Sequence, residues 1–337
     1  MNKSKFTVCR LNAGTFPMTQ EEKQILSQIG ADLIEIEGAS DEEILSACMN
    51  ADAIMIVSAY LHGTVIRKLK NLKIISRLGT GVDKIDVEEA TRQGIIVANL
   101  PDFSTDEVAD HTMTLLLAVA RKLKYHDAMI RQGLRQLDLK DMHRLSVLTL
   151  GIVGFGRIGK AVAKRAKSFG MKLLACDPAV TPEEARREGA EKVELEAILK
   201  QSDYLCLLCP LTAATREMIK MEELQKMKPT SVLVNTGRGE LVNEYDLAEA
   251  LRTGIIRYAA MDVFGKLNVF SENGFPVDHP YFSLDNILLT PHIAALSEES
   301  AANARTGGAM AVVEALSGKI PEHIVNPHYK QKLSTCE

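Results

Sequence analysis

The chain has 337 residues, 46% of them hydrophobic, with 40 Lys plus Arg set against 44 Asp plus Glu. A chain of this size buries roughly three-quarters of its unfolded surface without disulfide or metal staples, and its length points to two domains. The composition excludes collagen, coiled coil and disorder, and a net charge of −4 with no basic stripe argues against nucleic acid or anionic membrane, leaving a small molecule as the expected partner.

In chain order, MNKSKFTVCRL leads into no apolar stretch of signal-peptide length, and the apolar run 114–120 is too short to span a bilayer, so a cytoplasmic protein is expected. The short β-rich runs FTVCRL, DLIEI, AIMIV, KIIS and IIVAN alternate with helical patterns over 19–29, 41–49 and 86–93. That alternation predicts a parallel α/β layer. Thr19 with Glu22, Ser40 with Glu43 and Asp86 with Glu89 have capping-box spacing, and Gly30 and Gly94 supply helix stops. A single long helix is expected over 104–131, with Val108, Leu115, Leu116, Val119 and Leu123 on one stripe, as a connector between domains.

A second α/β series follows: SVLTLGIVG, MKLLACD, YLCLLC, SVLVNT, RYAAMDV and NILLTPH, the six strands of a dinucleotide-binding sheet. The charged run 183–188 reads as a solvated helix face. A last helix over 298–316 and a short tail are too small for a domain and are expected to pack back on the first one.

Gly154-Phe155-Gly156-Arg157-Ile158-Gly159 fits GxGxxG. Alone the pattern is weak, but here it joins an apolar strand to a helix. Bare backbone at that turn lets a pyrophosphate reach the helix N-terminus, where unpaired N–H groups and the dipole favour an anion. Asp177 ends the next strand, placed to accept the ribose hydroxyls of NAD and to repel the 2′-phosphate of NADP. A structural glycine turn with Asp177 as a strand-end cap is the competing reading.

Three more patterns sit at later strand ends. Arg238, in NTGRG, has the planar fork that grips a carboxylate, though a surface arginine in a glycine turn is the alternative. Asp262 closes RYAAMDV and would cap a loop or face a cofactor. His292 closes NILLTPH and is the natural proton donor, since an unperturbed imidazole titrates near ~6.5, although such a histidine is often only a loop residue. His111 is read as a packing or subunit-contact residue. The remaining histidines and the Cys206/Cys209 pair lack metal-ligand geometry, so no metal is expected.

The order GFGRIG, CDP, CPLTAAT, NTGRGELV, AAMDVF and LLTPHIAA, preceded by SRLGTGVDKID and VANLPDFSTDEVADHTM, resembles the D-isomer-specific 2-hydroxyacid dehydrogenases over about 6–326. The nearest look is to phosphoglycerate dehydrogenase-like enzymes and C-terminal-binding proteins. The resemblance implies an α/β protein of two Rossmann-like domains with doubly wound parallel sheets. In it, 103–294 form an NAD-binding domain inserted in a flavodoxin-like substrate domain made of 1–102 and 295–337, with the active site between them. It implies catalytic Arg238 and His292. Cofactor contacts then fall on Gly154 to Gly159, Asp177, Cys209, Pro210, Thr215, Thr236, Arg238, Asp262 and His292. The substrate loop falls on Leu78-Gly79-Thr80-Gly81, with Arg77 before it as a further charge or a surface residue.

The family's histidine-orienting glutamate is missing from its usual place, near Leu267. Glu272, beyond an insertion, is the candidate for it, with a solvated loop residue as the alternative. The implied activity is NAD-dependent oxidoreduction of a small 2-hydroxy or 2-oxo acid by a homodimer. The rival is an NAD-sensing protein-interaction module of the C-terminal-binding type, against which the absence of any tryptophan counts. Because little chain follows Asn326, the longer regulatory kind of phosphoglycerate dehydrogenase is not expected.

Overall fold

Continuous apolar runs such as Ala53–Ile56 and Tyr204–Leu207 are buried at every position, the signature of parallel strands covered on both faces. The computed structural model describes residues 6–135, 139–270 and 274–329. It divides into two compact units, 1–103 with 297–337, and 104–296.

In the first unit, β1 (Phe6–Arg10), α1 (Gln20–Ser27), β2 (Ala31–Glu35), α2 (Asp41–Cys48), β3 (Ala53–Ile56), α3 (Gly63–Ile66), β4 (Ile74–Arg77), α4 (Val87–Arg92) and β5 (Ile96–Ala98) follow in turn. The strands form one parallel sheet in the order β2-β1-β3-β4-β5, a doubly wound arrangement. Thr19, Ser40 and Asp86 each accept the N–H three residues on, so the expected caps start α1, α2 and α4. One face of the sheet is covered by α2, α3 and α4, and the other by α1 with the closing helix. After it, Ile324 bridges Ala98 and the Asn326 side chain bonds the backbone of Ile95 and Val97.

The second unit opens with α5 (Thr105–Ala120) and α6 (Leu123–Arg131). The single helix expected over 104–131 is therefore two. Lys122 between them is left-handed at φ +49°, a turn without the glycine or proline that would have announced it. Leu123, expected on the buried stripe, is exposed as a result. The unit continues with β6 (Thr149–Val153), α7 (Arg157–Ser168), β7 (Lys172–Cys176), α8 (Pro182–Arg187), β8 (Ala190–Lys192), α9 (Leu195–Gln201), β9 (Tyr204–Leu207), α10 (Met221–Leu224), β10 (Val232–Asn235), α11 (Glu244–Thr253), β11 (Tyr258–Met261) and β12 (Ile287–Leu289). The closing helix, α12 (Glu298–Leu316), belongs to the first unit.

Among the described residues seven strands, not six, pair in parallel in the order β12-β11-β10-β9-β6-β7-β8. The extra strand, β8, is a three-residue edge segment reading Ala-Glu-Lys, too short and polar to register as a hydrophobic run. Among the described residues no helix is long and apolar enough to cross a membrane.

Candidate active site

The sheet of the second unit sets the site by register. Cys176, Val153, Leu207, Asn235, Met261 and Leu289 pair side by side across six strands. The residues one step further therefore leave the sheet along one carboxyl edge: Asp177, Gly154, Leu208, Thr236, Asp262 and Thr290. In open α/β sheets this is the edge where ligands bind.

At the first crossing the three glycines have separate reasons. Gly154 is at φ +91°, and any Cβ there would overlap the backbone of Cys209. A Cβ on Gly159 would overlap the carbonyl oxygen of Gly154, so α7 packs on the turn only through bare backbone. Gly156, the residue capping α7, faces open space. The turn is thus closed by two glycines and kept accessible by the third, which fits the approach of a pyrophosphate to the helix N-terminus.

Phe155 enters the core, with its side chain 0% exposed, so only its backbone belongs to the loop. Its N–H donates to Asp177 Oδ2 at 2.7 Å, while Asp177 Oδ1 accepts from Ala179 N at 2.8 Å. Asp177 therefore does cap the strand end. Each carboxylate oxygen still keeps a second lone pair, so capping and ribose binding are compatible. Arg157 is exposed and Ile158 half-buried. Thr215 Oγ1 donates to Pro210 O at 2.7 Å and accepts from Thr212 N, folding 210–215 into a closed turn. Burial pushes the Cys209 thiol up to about 11 and that of Cys206 to about 12, so neither is a thiolate near neutral pH.

Past β10, Asn235 accepts from Gly237 N at 3.0 Å and donates to Arg238 O at 2.8 Å, pinning the turn that presents Arg238. A Cβ on Gly239 would overlap the backbone of Phe264, which makes glycine obligatory after Arg238.

Past β12 the chain is organised by Asp262, whose carboxylate is wholly buried. Oδ1 accepts from Thr290 Oγ1 at 2.6 Å and Ile293 N at 3.0 Å, Oδ2 accepts from Ala294 N at 2.9 Å, and the Asp262 carbonyl accepts from His292 N at 2.8 Å. His292 is left-handed at φ +57°, a conformation costing a non-glycine residue of order 1–3 kcal/mol, and these bonds on either side hold it there. Burial would raise the Asp262 pKa. Hydrogen bonds from His111, Thr290 and the Ile293 and Ala294 amides outweigh it and hold the carboxyl below its ordinary value. The Phe270 ring lies 5.0 Å from the His292 ring.

Leu267 is only 8% exposed, an apolar side chain where the family pattern would put the orienting carboxylate. Glu272 lies outside the described residues.

In the first unit Arg77 turns onto its own loop, Nε donating to Gly81 O at 2.9 Å and Nη1 to Leu78 O at 2.7 Å. It shapes the loop rather than standing on the surface. Among the described residues the N–H groups of Thr80 and Gly81 have no acceptor, as an anion cradle requires. Sequence reasoning missed Asn12. Its Oδ1 accepts from the N–H groups of Val57, Ser58 and Ala59 at 3.3, 2.7 and 2.9 Å and fixes the loop after β3.

Sequence reasoning also set His111 aside as packing. Its Nε2 is 3.0 Å from Thr290 Oγ1 and 3.5 Å from Asp262 Oδ1. No spacing pattern joins positions 111, 262 and 290, so only the fold reveals the link.

The family model for the NAD binding domain of D-isomer specific 2-hydroxyacid dehydrogenases matches residues 113–294. The D-3-phosphoglycerate dehydrogenase of Methanocaldococcus jannaschii is 39% identical over 317 residues, 93% of this chain and 58% of its own length. This chain thus spans little more than half of that relative. The glyoxylate reductase of Thermococcus litoralis is 40% identical over 295 residues, 84% of this chain and 86% of its own. The crystal structure of D-lactate dehydrogenase from Aquifex aeolicus, complexed with NAD and lactic acid, superposes with a TM-score of 0.84 at 27% identity, covering 95% of this chain and 99% of that one.

Proposed function

This chain belongs to the D-isomer-specific 2-hydroxyacid dehydrogenase family, and from that premise we propose that it transfers hydride reversibly between NADH and a small 2-oxo acid of the glyoxylate, glycerate or phosphoglycerate type. The observation that carries the reading is the register of the second sheet. It brings a glycine turn, an acidic strand end, an arginine turn and a histidine turn to one carboxyl edge.

The residues fit the dinucleotide. Gly156 leaves the N-terminus of α7 open, and Asp177 stands beside it, bonded to Phe155 N, to take the adenosine ribose. Cys209, Pro210, Thr215 and Thr236 follow along the same edge as the remaining contacts, whereas Asp262, also expected to face the cofactor, is wholly buried and caps the His292 turn instead. When bound, the nicotinamide supplies the hydride to the carbonyl carbon. Arg238 grips the substrate carboxylate through parallel N–H bonds and polarises the carbonyl. His292 donates its proton to the carbonyl oxygen as it becomes the hydroxyl, and takes a proton back in the oxidative direction. In the first unit the amides of Thr80 and Gly81 are suited to an anionic group, and Glu272 is the proposed partner of His292.

The test is NADH oxidation with a panel of 2-oxo acids. The wild type is expected to turn over at least one of them, and Arg238→Lys, which loses the fork, to lower kcat by about a hundredfold. Near-wild-type kcat in that variant removes Arg238 from the chemistry. No turnover with any acid returns the chain to the interaction-module class.

The enzyme is further proposed to act as a homodimer in the cytoplasm. No residue of α6 is buried, and Leu123, Ile130, Leu134 and Leu139 leave an apolar surface on and after it. The five described cysteines are free thiols, as in a reducing compartment. Sedimentation as a monomer at micromolar concentration would remove the dimer.

A further inference from the structure

Two neighbouring residues of α5 reach two different loops of the site. His111 meets Thr290 and Asp262 at the end of β12 and β11, and Thr112 Oγ1 lies 2.7 Å from Thr236 Oγ1 at the end of β10. We infer that His111 and Thr112 form a brace that positions both reactive side chains, His111 the His292 turn and Thr112 the Arg238 turn. The inference rests on reading Arg238 and His292 as the reacting pair, and both brace residues are positioning residues.

Proton bookkeeping fixes the sense of each bond. A hydroxyl has one proton to give. Thr112 gives its own to Val108 O at 2.7 Å, so Thr236 must donate to Thr112. Thr290 gives its proton to Asp262 Oδ1, so it can only accept from His111. His111 must therefore carry hydrogen on Nε2, whichever charge it bears, and that N–H lies beside a carboxylate with no solvent contact.

Thr112 is wholly buried and Thr236 nearly so, which shields the bond between them from water. The brace helix is packed against α7, where Ala109, Met113 and Leu116 share a buried cluster with Val162, Ala163 and Ala166, and Arg165 adds exposed ion pairs to Asp106 at 2.8 Å and Asp110 at 2.5 Å. One helix thus ties the glycine-turn helix, the Arg238 turn and the His292 turn into a single frame. A shift of about 1 Å in such a frame can cost up to a hundredfold in rate.

The experiment compares His111→Leu with His111→Gln, whose amide nitrogen reaches about as far as Nε2, and Thr112→Val with Thr112→Ser. His111→Leu and Thr112→Val are expected to lower kcat about tenfold while KM for the oxo acid changes less than about threefold, and Gln and Ser to restore most of the loss. Amide exchange followed by mass spectrometry should rise over 287–296 in His111→Leu and over 233–242 in Thr112→Val, each without the other.

The brace is overturned by kcat within twofold of wild type in both apolar variants. It is equally overturned by Gln and Ser variants as impaired as Leu and Val with exchange raised throughout the unit, since that marks general packing. If the wild type reduces no 2-oxo acid, the proposed reaction fails, while the exchange pattern still decides whether the brace exists.

Discussion

The turn after β6 and the turn after β12 leave the same sheet along the same edge, yet they are held in opposite ways. The first is made by missing atoms: Gly154 and Gly159 let backbone approach backbone, and Gly156 leaves a surface bare. The second is made by an added group, the buried Asp262 carboxylate that collects Thr290, Ile293 and Ala294, while the main-chain carbonyl of Asp262 takes His292 N. A turn shaped by absence tolerates no substitution where it is closed and some where it is open. A turn shaped by a charge depends on that charge staying ionised.

The sharpest way to break the first turn is Gly154→Ala. A methyl group at φ +91° against Cys209 is expected to destabilise the protein by about 2–3 kcal/mol, measured by denaturant unfolding. Gly156→Ala is the control. It should fold as the wild type does yet weaken NADH binding about tenfold by fluorescence titration, because its methyl group meets only the incoming ligand. Equal stability losses in the two variants would show that the glycines do not divide the work.

The second turn is tested by Asp262→Asn, expected to cost about 1–3 kcal/mol at pH 7 because a buried acceptor is replaced by a donor facing N–H groups. The pH dependence follows from the direction of the shift. A carboxyl held below its unfolded value of about 4 stabilises fully above that pH, and its contribution fades as pH falls through the lower folded value. The gap between wild type and Asp262→Asn should therefore be widest near neutrality and narrow as pH falls below about 4; a gap that does not narrow in acid would show that the charge is not what holds the turn.

The smallest expected effect is on cofactor choice. Asp177→Ala should narrow the NADH over NADPH preference about tenfold, since repulsion of the 2′-phosphate disappears. The Phe155 amide also loses its acceptor, so overall affinity should fall slightly as well. An unchanged preference would leave Asp177 as a strand cap alone.

Legibility tracks the same contrast. The glycine turn could be read because strand, glycines and helix lie within 20 consecutive residues, from Thr149 to Ser168. Arg238 could be read for a similar reason, with Asn235 and Gly239 as its close neighbours in sequence. Asp262 could be placed at a strand end, but not known as the centre of its turn, because its partners lie 28 to 32 residues away. His111 lies 179 residues from Thr290, so its sequence neighbourhood shows only a helix position suited to packing. The left-handed break at Lys122 escaped because nothing local forbids a helix there.

What the sequence determined by itself was the alternation of buried strands and capped helices, the glycine turn and the family to which the chain belongs. These rest on periodicity, on spacing within one turn, and on glycine where a Cβ would collide. What only the tertiary structure decided was which polar groups meet: His111 with Thr290, Thr112 with Thr236, and Asn12 with the loop after β3. Hydrogen bonds between distant positions leave no periodic trace, because the partners are brought together by sheet register and helix packing rather than by any local preference of the chain.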